Sequence, residues 1–249
     1  DINTIWHDGP ACVSSDGNTI YFSRDSRVID DYEDIKNIKT KFSQMYLFKA
    51  TKVNNKWSEA KQLPFNSKTY SISNPSISID GKTLYFNSNM PGGFGGNDIW
   101  KVDVSEGDVY GTPVNLGSKI NTEGNEQFPS ITDDNVLYFS SDSRQGLGGL
   151  DVYVINLNKS EDAQNLGKPV NSEKDDFSFS FNTKRNLGFF SSNREESDDL
   201  YIAKPLCSVE STILVTNAVS GVILEGASVA ILDDKKNIIE TKISDANGN

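Results

Sequence analysis

The chain has few of the residues on which many catalytic and metal sites depend. Histidine occurs once, at His7, and cysteine twice, at Cys12 and Cys207. A metal site built on several histidines is therefore excluded, and a serine–histidine–aspartate triad would have to use His7. His7 lies just before the first predicted strand, where we expect an exposed loop residue.

The two cysteines are too few for a disulfide scaffold. Cys12 and Cys207 pair only if the fold brings their Cα atoms within about 7 Å of each other. Two unpaired thiols are the simpler interpretation, and both alternatives stay open at this point. Cys12 falls within a strand pattern, so we expect it to be a core residue rather than a nucleophile.

The sequence also lacks long hydrophobic runs and an excess of positive charge. No apolar run approaches the roughly 18–20 residues that span a bilayer. The 24 basic residues are outnumbered by 35 acidic ones, which leaves a net charge of −11. This balance disfavours nucleic acid and anionic membrane surfaces as partners. The chain begins at Asp1 without a methionine or a basic leader, as expected of a mature, trimmed or partial sequence.

What the chain does contain is turn-forming and aromatic residues. Only 36% of residues are hydrophobic, yet 10% are aromatic, and serine, asparagine and glycine are abundant. This composition disfavours a helical bundle and also disorder, because disordered chains are poor in aromatic residues. It favours many short strands joined by tight turns.

An aromatic doublet recurs along the chain after a short polar turn, at intervals of 64, 53 and 51 residues. An alternating segment precedes each turn, and in two copies the turn contains Asp-Gly, which is typical of type I′ hairpins. The four copies of the doublet are Tyr21-Phe22, Tyr85-Phe86, Tyr138-Phe139 and Phe189-Phe190.

The second half of each unit repeats as well. An acid-aliphatic-aromatic pattern recurs at Asp98-Ile99-Trp100, Asp151-Val152-Tyr153 and Asp199-Leu200-Tyr201, and an Asn-Leu-Gly segment follows the first two. Each unit thus predicts four short antiparallel strands, which is typical of propeller blades. We predict an all-β fold, a β-propeller with four visible four-stranded blades. An unrelated β-sandwich is the alternative.

The two ends of the repeat region do not match. Ile2-Asn3-Thr4 repeats Ile120-Asn121-Thr122, the end of a fourth strand, whereas the last unit ends near Pro205 without a fourth strand. Residues 1–6 either close a four-bladed ring or follow an upstream blade. We favour the second interpretation and expect five blades in the full protein.

After Pro205 the pattern changes. Residues 206–249 read as further strands and turns, too few to bury a sufficient core alone. We therefore divide the chain into propeller blades at 1–205 and part of a small β-sandwich at 206–249.

These motifs resemble the periplasmic region of OmpA-family proteins of Bacteroidota, the PorE-like group associated with type IX secretion. The resemblance covers residues 3–204 and depends on Leu63-Pro64-Phe65-Asn66-Ser67, on Asn115-Leu116-Gly117 and its continuation to Glu126, and on residues 89–98, 148–153, 171–177 and 190–194. Gly226-Ala227-Ser228-Val229 and Asp245-Ala246-Asn247-Gly248 resemble the carboxypeptidase-regulatory-like domain that follows the propeller in that family.

The resemblance implies a WD40-like propeller in the periplasm, associated with the outer membrane. It implies outer-membrane protein partners of the PorP/SprF-like kind, with peptidoglycan bound only through a C-terminal domain that this chain does not contain. The blades are also similar to those of TolB, a periplasmic propeller that binds proteins. We therefore expect a non-catalytic scaffold without a cofactor that links an outer-membrane complex to the cell envelope. The alternative is a propeller that binds or hydrolyses glycans.

Paired carboxylates would favour that alternative. Asp98, Asp151 and Asp199 recur at equivalent positions, however, which favours a repeated structural role in holding the turn before each third strand. The glycine-rich loop at 92–98 offers oxygen ligands for calcium, but its spacing does not match an EF-hand. Turns that need positive φ explain the glycines more simply.

The first unit contains an insertion between Arg24 and Gln44 that mixes acidic and basic residues. Long loops on rigid scaffolds often bind partners, and this one is our candidate contact segment; a solvated loop is the alternative. Its candidate residues are Arg27, Asp30, Asp31, Tyr32, Glu33, Asp34, Lys36, Lys39 and Lys41.

Overall fold

A computed structural model describes residues 2–32, 42–205, 212–232 and 235–249. The chain divides into two compact units, Asp1–Pro205 and Leu206–Asn249. The first unit consists of four antiparallel sheets, each formed from consecutive strands, in a propeller arrangement of four blades. The predicted all-β propeller is thus confirmed.

Among the described residues, blades 1 and 2 are sheets of five strands each, blade 3 has four, and blade 4 has three. Blade 1 contains β1 (Asp8–Val13), β2 (Thr19–Asp25), β3 (Met45–Val53), β4 (Lys56–Trp57) and β5 (Lys61–Gln62). Blade 2 contains β6 (Ile72–Ile77), β7 (Thr83–Ser88), β8 (Asp98–Ser105), β9 (Val109–Tyr110) and β10 (Val114–Asn115).

Blade 3 contains β11 (Glu126–Ile131), β12 (Val136–Ser141), β13 (Asp151–Asn156) and β14 (Gln164–Asn165). Blade 4 contains β15 (Asp176–Asn182), β16 (Leu187–Ser192) and β17 (Asp199–Ala203). The inner strands of the four blades are β1, β6, β11 and β15, the third strands are β3, β8, β13 and β17, and the outer strands are β5, β10 and β14.

The aromatic doublets form the core between blades, because successive side chains of a strand point to opposite faces of its sheet. The first member of a doublet packs toward the next blade, and the second packs toward the previous one. Tyr21 therefore shares a buried cluster with Phe86, and Tyr85 shares one with Phe139. Because the alternation is the same in successive blades, their interfaces are built from equivalent residues.

Phe189 departs from the predicted burial of the doublets. Its partner Phe190 is 4% exposed, but Phe189 is 38% exposed. Phe189 is the first member of its doublet and points to the face that a following blade covers in the other repeats. Within the described residues, blade 4 has no following blade.

The hairpin turns between the first and second strands also differ from the expected type I′ geometry. That turn needs positive φ at both central residues, but here Gly17 and Gly81 have positive φ, at 72° and 71°, and Asp16 and Asp80 do not. Each aspartate instead accepts a hydrogen bond from the hydroxyl of the serine two residues before it. The turn is therefore longer than a two-residue type I′ turn, and the hydrogen bond between the serine and the aspartate closes it.

The N-terminal segment does not add a strand to blade 4, whose sheet has the order β15-β16-β17. Ile2 instead accepts a hydrogen bond from Arg24, and the backbone N–H of Thr4 donates to Asp8 over 2.6 Å. Residues 2–4 thus contact blade 1. The expected fifth blade stays a prediction.

The second unit contains a two-stranded antiparallel sheet of β18 (Ser228–Leu232) and β19 (Ile238–Ile243). Its large apolar side chains are mostly exposed, with Ile238 and Ile239 each at 66%. Its relation to a carboxypeptidase-regulatory-like domain stays a prediction. Across the described ranges, no helix has the length and apolar character needed to cross a bilayer.

Candidate functional site

The four inner strands surround a central depression of about 300 Å³. Each strand contributes three consecutive residues to its wall, at positions 10–12, 74–76, 128–130 and 178–180. The depression is therefore assembled from equivalent positions of all four blades.

A β-bulge interrupts each inner strand at this wall, where the pairing register shifts. In blades 2 to 4 the bulge residue has positive φ, 54° at each of Asn74, Phe128 and Ser178. A proline follows in blades 2 and 3 and has no N–H to donate to the ladder. Because a bulge bends its strand and redirects side chains, these three residues set the shape of the wall.

The wall is uncharged in character. It consists of serine hydroxyls, one asparagine amide, prolines, Ala11, Cys12 and the rings of Phe128 and Phe179. The ring of Phe128 also lies 5.3 Å from that of Phe177. Such a surface suits neutral polar or aromatic groups better than ions.

Cys12 is the one titratable residue of this wall. Burial raises the pKa of its thiol to about 12. Since the thiolate is the reactive species, the thiol should be inert near neutral pH. A nucleophilic role at Cys12 does not fit this environment.

We expect Cys12 in the Cys207→Ser protein to react with a disulfide reagent such as DTNB only after unfolding. A free thiol of ordinary pKa is partly ionised at about pH 8, whereas a pKa of about 12 leaves almost no thiolate. The measurement is the absorbance of released thiolate with and without concentrated guanidinium chloride.

Fast stoichiometric reaction of the native protein would contradict the raised pKa of the half-buried Cys12 thiol. The same titration of the unmodified chain tests the pairing that the sequence left open. Cys207 lies outside the described residues, and Cys12 is a free thiol. We expect two thiols in the denatured chain, whereas none would indicate a disulfide.

Two of the three recurring aspartates are enclosed by the glycine-rich loop that precedes their strand. Asp98 and Asp151 are each 1% exposed. Asp98 Oδ2 accepts hydrogen bonds from the backbone N–H of Phe94 at 2.5 Å and from the Asn115 amide at 2.8 Å. Asp151 Oδ2 accepts the backbone N–H of Leu147 at 2.6 Å. These carboxylates organise their own loops.

The glycines of these loops are needed because the loop runs against the carboxylate. A Cβ at Gly93 would overlap Asp98, and one at Gly146 would overlap Asp151. Asp199 differs from both, since it is exposed and accepts a bond from the hydroxyl of Ser197 at 2.9 Å. In the described part of the chain, no three potential metal-ligating acids, histidines or cysteines cluster.

Part of the candidate contact segment is bound to its own blade. Arg27 pairs with Asp25 and lies 4.9 Å above the ring of Trp6. Asp31 accepts a hydrogen bond from Tyr46 at 2.7 Å and pairs with Lys68 at 2.8 Å. The bond and charge of Lys68 lower the pKa of the Asp31 carboxyl.

Asp30 has a left-handed backbone that ends a short 3-10 helix, and Tyr32 is half-buried. The remaining five candidates, Glu33, Asp34, Lys36, Lys39 and Lys41, lie outside the described residues. The contact role of the segment stays a prediction.

The sequence shows that an asparagine recurs at the end of each of the first three blades, but sequence reasoning missed the role of these asparagines in closing the blades. Each follows the outer strand of its blade and bonds to the backbone of the third strand through both ends of its amide. Asn121 accepts the N–H of Ile99 at 2.7 Å and donates to the Ile99 carbonyl at 2.9 Å. Asn66 and Asn171 form the same pair of bonds with Leu47 and Val152. We call these three residues the asparagine clamps.

Comparisons with known proteins support the fold. No family model and no curated protein matches the chain. Among solved structures, TolB from Acinetobacter baumannii superposes with a TM-score of 0.53 at 12% identity, over 80% of this chain and 41% of that one.

Two further matches have lower scores. A puromycin-hydrolyzing peptidase from Mycobacterium tuberculosis has a TM-score of 0.49 at 12% identity, over 80% of this chain and 27% of that one. A putative TolB from Agrobacterium tumefaciens has 0.44 at 13%, over 80% and 76%. The chain thus spans less than half of the Acinetobacter TolB, and the likeness establishes a propeller fold of that kind.

Proposed function

We propose that this chain is a non-catalytic, periplasmic protein-interaction module of an OmpA-family protein. It would present loops and blade edges to outer-membrane protein partners and link their complex, of type IX secretion or a related machine, to the cell envelope. Three features support the proposal: the propeller fold, the net charge of −11 and the motifs that resemble that family.

The observation that carries the proposal is the chemistry of the central depression. Propeller enzymes that cleave glycans need carboxylates over the substrate, but the wall here consists of serine, asparagine, proline, alanine, cysteine and phenylalanine. The recurring acids Asp98 and Asp151 lie instead inside their blades, bonded to their own loops. This division of roles suits a scaffold better than a hydrolase.

A native pull-down of the full-length protein from outer membranes, followed by mass spectrometry, tests the proposal. We expect one or a few envelope proteins to be recovered in stoichiometric amounts. A protein with an unrelated propeller, treated identically, is the control. Recovery of no envelope protein above that control would contradict the scaffold role, and glycan release by the purified chain would favour the hydrolase alternative.

The contact segment has its own test within this experiment. Deleting residues 27–42 should reduce the recovery of the outer-membrane partner if the insertion binds it. Because Asp31 also accepts a hydrogen bond from the Tyr46 hydroxyl within blade 1, a Tyr46→Phe variant separates the loss of that bond from loss of the loop. Unchanged recovery of the outer-membrane partner with the deletion variant would contradict the contact-segment hypothesis.

A further inference from the structure

The carboxylate of Asp98 differs from most buried carboxylates of the chain in how it is bonded. Among the described residues, five acidic side chains are buried: Asp25, Asp98, Glu126, Asp151 and Asp176. Both carboxylate oxygens accept hydrogen bonds in Asp25, Glu126 and Asp176. In Asp98 and Asp151 only Oδ2 does so, and Oδ1 is buried without a partner in the described part of the chain. Such an oxygen needs a physical explanation, because buried polar atoms are nearly always bonded.

The charge of the Asp98 carboxylate also has no compensating cation. Asp25 and Asp176 each pair with an arginine, and Glu126 accepts hydrogen bonds from two hydroxyls and a backbone N–H. Asp98 has no ion pair among the described residues, and both of its hydrogen bonds end on Oδ2. Because buried charges are normally paired or coordinate a metal ion, this arrangement favours a cation at Oδ1.

Blade 3 contains groups that can compensate Asp151, and blade 2 lacks them. The amide nitrogen of Asn165 has no partner among the described residues, and it occupies the position from which the blade 2 asparagine donates to its aspartate. Arg144 lies 5.9 Å from the ring centroid of Tyr153 on the same strand as Asp151. The residue of blade 2 that is equivalent to Arg144 is Pro91, which carries no charge. The need for an added cation is therefore specific to blade 2.

The glycine-rich loop before Asp98 brings backbone oxygens to the carboxylate. Positive φ, the reason that the sequence suggested for these glycines, occurs in this loop only at Gly92, at 95°. A Cβ at Gly93 would overlap Asp98 Oδ2, which means that the loop backbone runs directly against the carboxylate. None of the described hydrogen bonds ends on the carbonyl oxygens of residues 92–96. These oxygens are therefore available as ligands.

We propose that Asp98 and the loop at residues 92–96 bind one calcium ion. Asp98 Oδ1 supplies the charged ligand, and loop carbonyls and water supply the other oxygens. Calcium accepts about six to eight oxygen ligands of these kinds in flexible geometry, whereas magnesium demands a near-ideal octahedron, so an irregular backbone loop favours calcium. The ion holds the loop that carries Phe94, whose side chain is 52% exposed. This inference goes beyond the proposed function and does not depend on it.

The affinity for calcium should be low, because the site has a single acidic ligand. Calcium affinity rises with the number of charged ligands, and the weakest protein sites bind at roughly 0.1–1 mM. Isothermal titration calorimetry of the full chain, stripped with EDTA and titrated with calcium chloride to about 10 mM, should show one site in that range. Magnesium chloride should bind more weakly. Absence of saturable calcium binding, or equal affinity for magnesium, would overturn the proposal.

Two variants locate the site. Asp98→Asn removes the charge but keeps an oxygen that accepts the Phe94 N–H, and it should weaken calcium binding about tenfold or more. Asp151→Asn is the matched control, because it makes the same substitution at the equivalent carboxylate of blade 3, and it should leave the affinity unchanged. Circular dichroism checks that both variants fold. Binding that Asp98→Asn does not weaken, or that Asp151→Asn weakens equally, would contradict the assignment to Asp98.

Thermal unfolding separates charge compensation from a purely structural role of Asp98. For the unmodified chain, the midpoint should rise by about 3 °C or more between EDTA and about 10 mM calcium, because a ligand that binds only the folded state stabilises it. Asp98→Asn should abolish this rise, and in EDTA it should not lower the midpoint, since it removes a buried charge that has no cation. A lower midpoint for Asp98→Asn in EDTA, with no effect of calcium on the unmodified chain, would show that Oδ1 is satisfied without a metal ion and would overturn the proposal.

Discussion

Leu47→Ala should lower the free energy of unfolding of the first unit by about 2–5 kcal/mol, the usual cost of a cavity at a buried leucine. Leu47 is 0% exposed and belongs to the cluster that joins blades 1 and 2. Leu200→Ala is the matched control, because it makes the same substitution at the equivalent position of blade 4, where the side chain is 71% exposed.

We expect Leu200→Ala to change that free energy by less than about 0.5 kcal/mol, as is usual for surface substitutions. Urea denaturation followed by tryptophan fluorescence measures both variants, with Trp100 as a reporter in the same buried cluster as Leu47. Equal losses in the two variants would show that the Leu200 side chain is buried, which would contradict its exposure.

Asn121→Ala should cost about 2–4 kcal/mol, because it leaves the buried N–H of Ile99 without its acceptor. It also removes the bonds from the Asn121 amide to the Ile99 carbonyl and to Asn115, at 2.9 and 2.8 Å. Such a loss is large for a polar residue that makes no contact with a ligand. It would identify the clamp as a main stabiliser of the outer strand.

Asn3→Ala is the matched control for the clamp. Asn3 stands in Ile2-Asn3-Thr4, which repeats Ile120-Asn121-Thr122, but its side chain is exposed. We expect a change within about 0.5 kcal/mol, measured in the same denaturation series. A small loss with Asn121→Ala would mean that backbone pairing alone holds the outer strands.

The fold could be predicted from the sequence because an aromatic doublet recurs once in each blade. Alternating strands place Tyr85 on one face of blade 2 and Phe86 on the other, so a doublet that recurs four times already implies four blades with cores between them. The period of about 50 residues then favours four-stranded units. No other pattern in the chain competes with these two.

The contacts between blades were harder to predict, because they depend on residues far apart in sequence. Arg24, Arg144 and Arg194 lie over the aromatic rings of strands in their own blades, at 4.7, 5.9 and 5.1 Å from Phe22, Phe139 and Phe190. Arg144 and Arg194 also donate to carbonyls at the end of the preceding blade, at Ile120 and Val170. Their spacing in the sequence is irregular, so no repeat revealed them.

The candidate site was predicted only in part for the same reason. The sequence placed Asp98, Asp151 and Asp199 at equivalent positions, but only the first two follow a glycine-rich loop that encloses the carboxylate. No glycine precedes Asp199 in residues 194–198, and its side chain is exposed. The central depression, in turn, depends on bulges at Asn74, Phe128 and Ser178, and no local pattern marked their positive φ.

Amide hydrogen exchange of the full chain, followed by mass spectrometry, tests the central claim most directly: three blades are completed by their own outer strands, which the asparagine clamps hold, whereas the described part of blade 4 ends at β17. Peptides that cover β3, β8 and β13 should exchange slowly, because Leu47, Ile99 and Val152 are clamped. We predict that β17, which has no outer strand within the described residues, exchanges much faster. Slow exchange of β17 in the free protein, matching that of β13, would contradict this account.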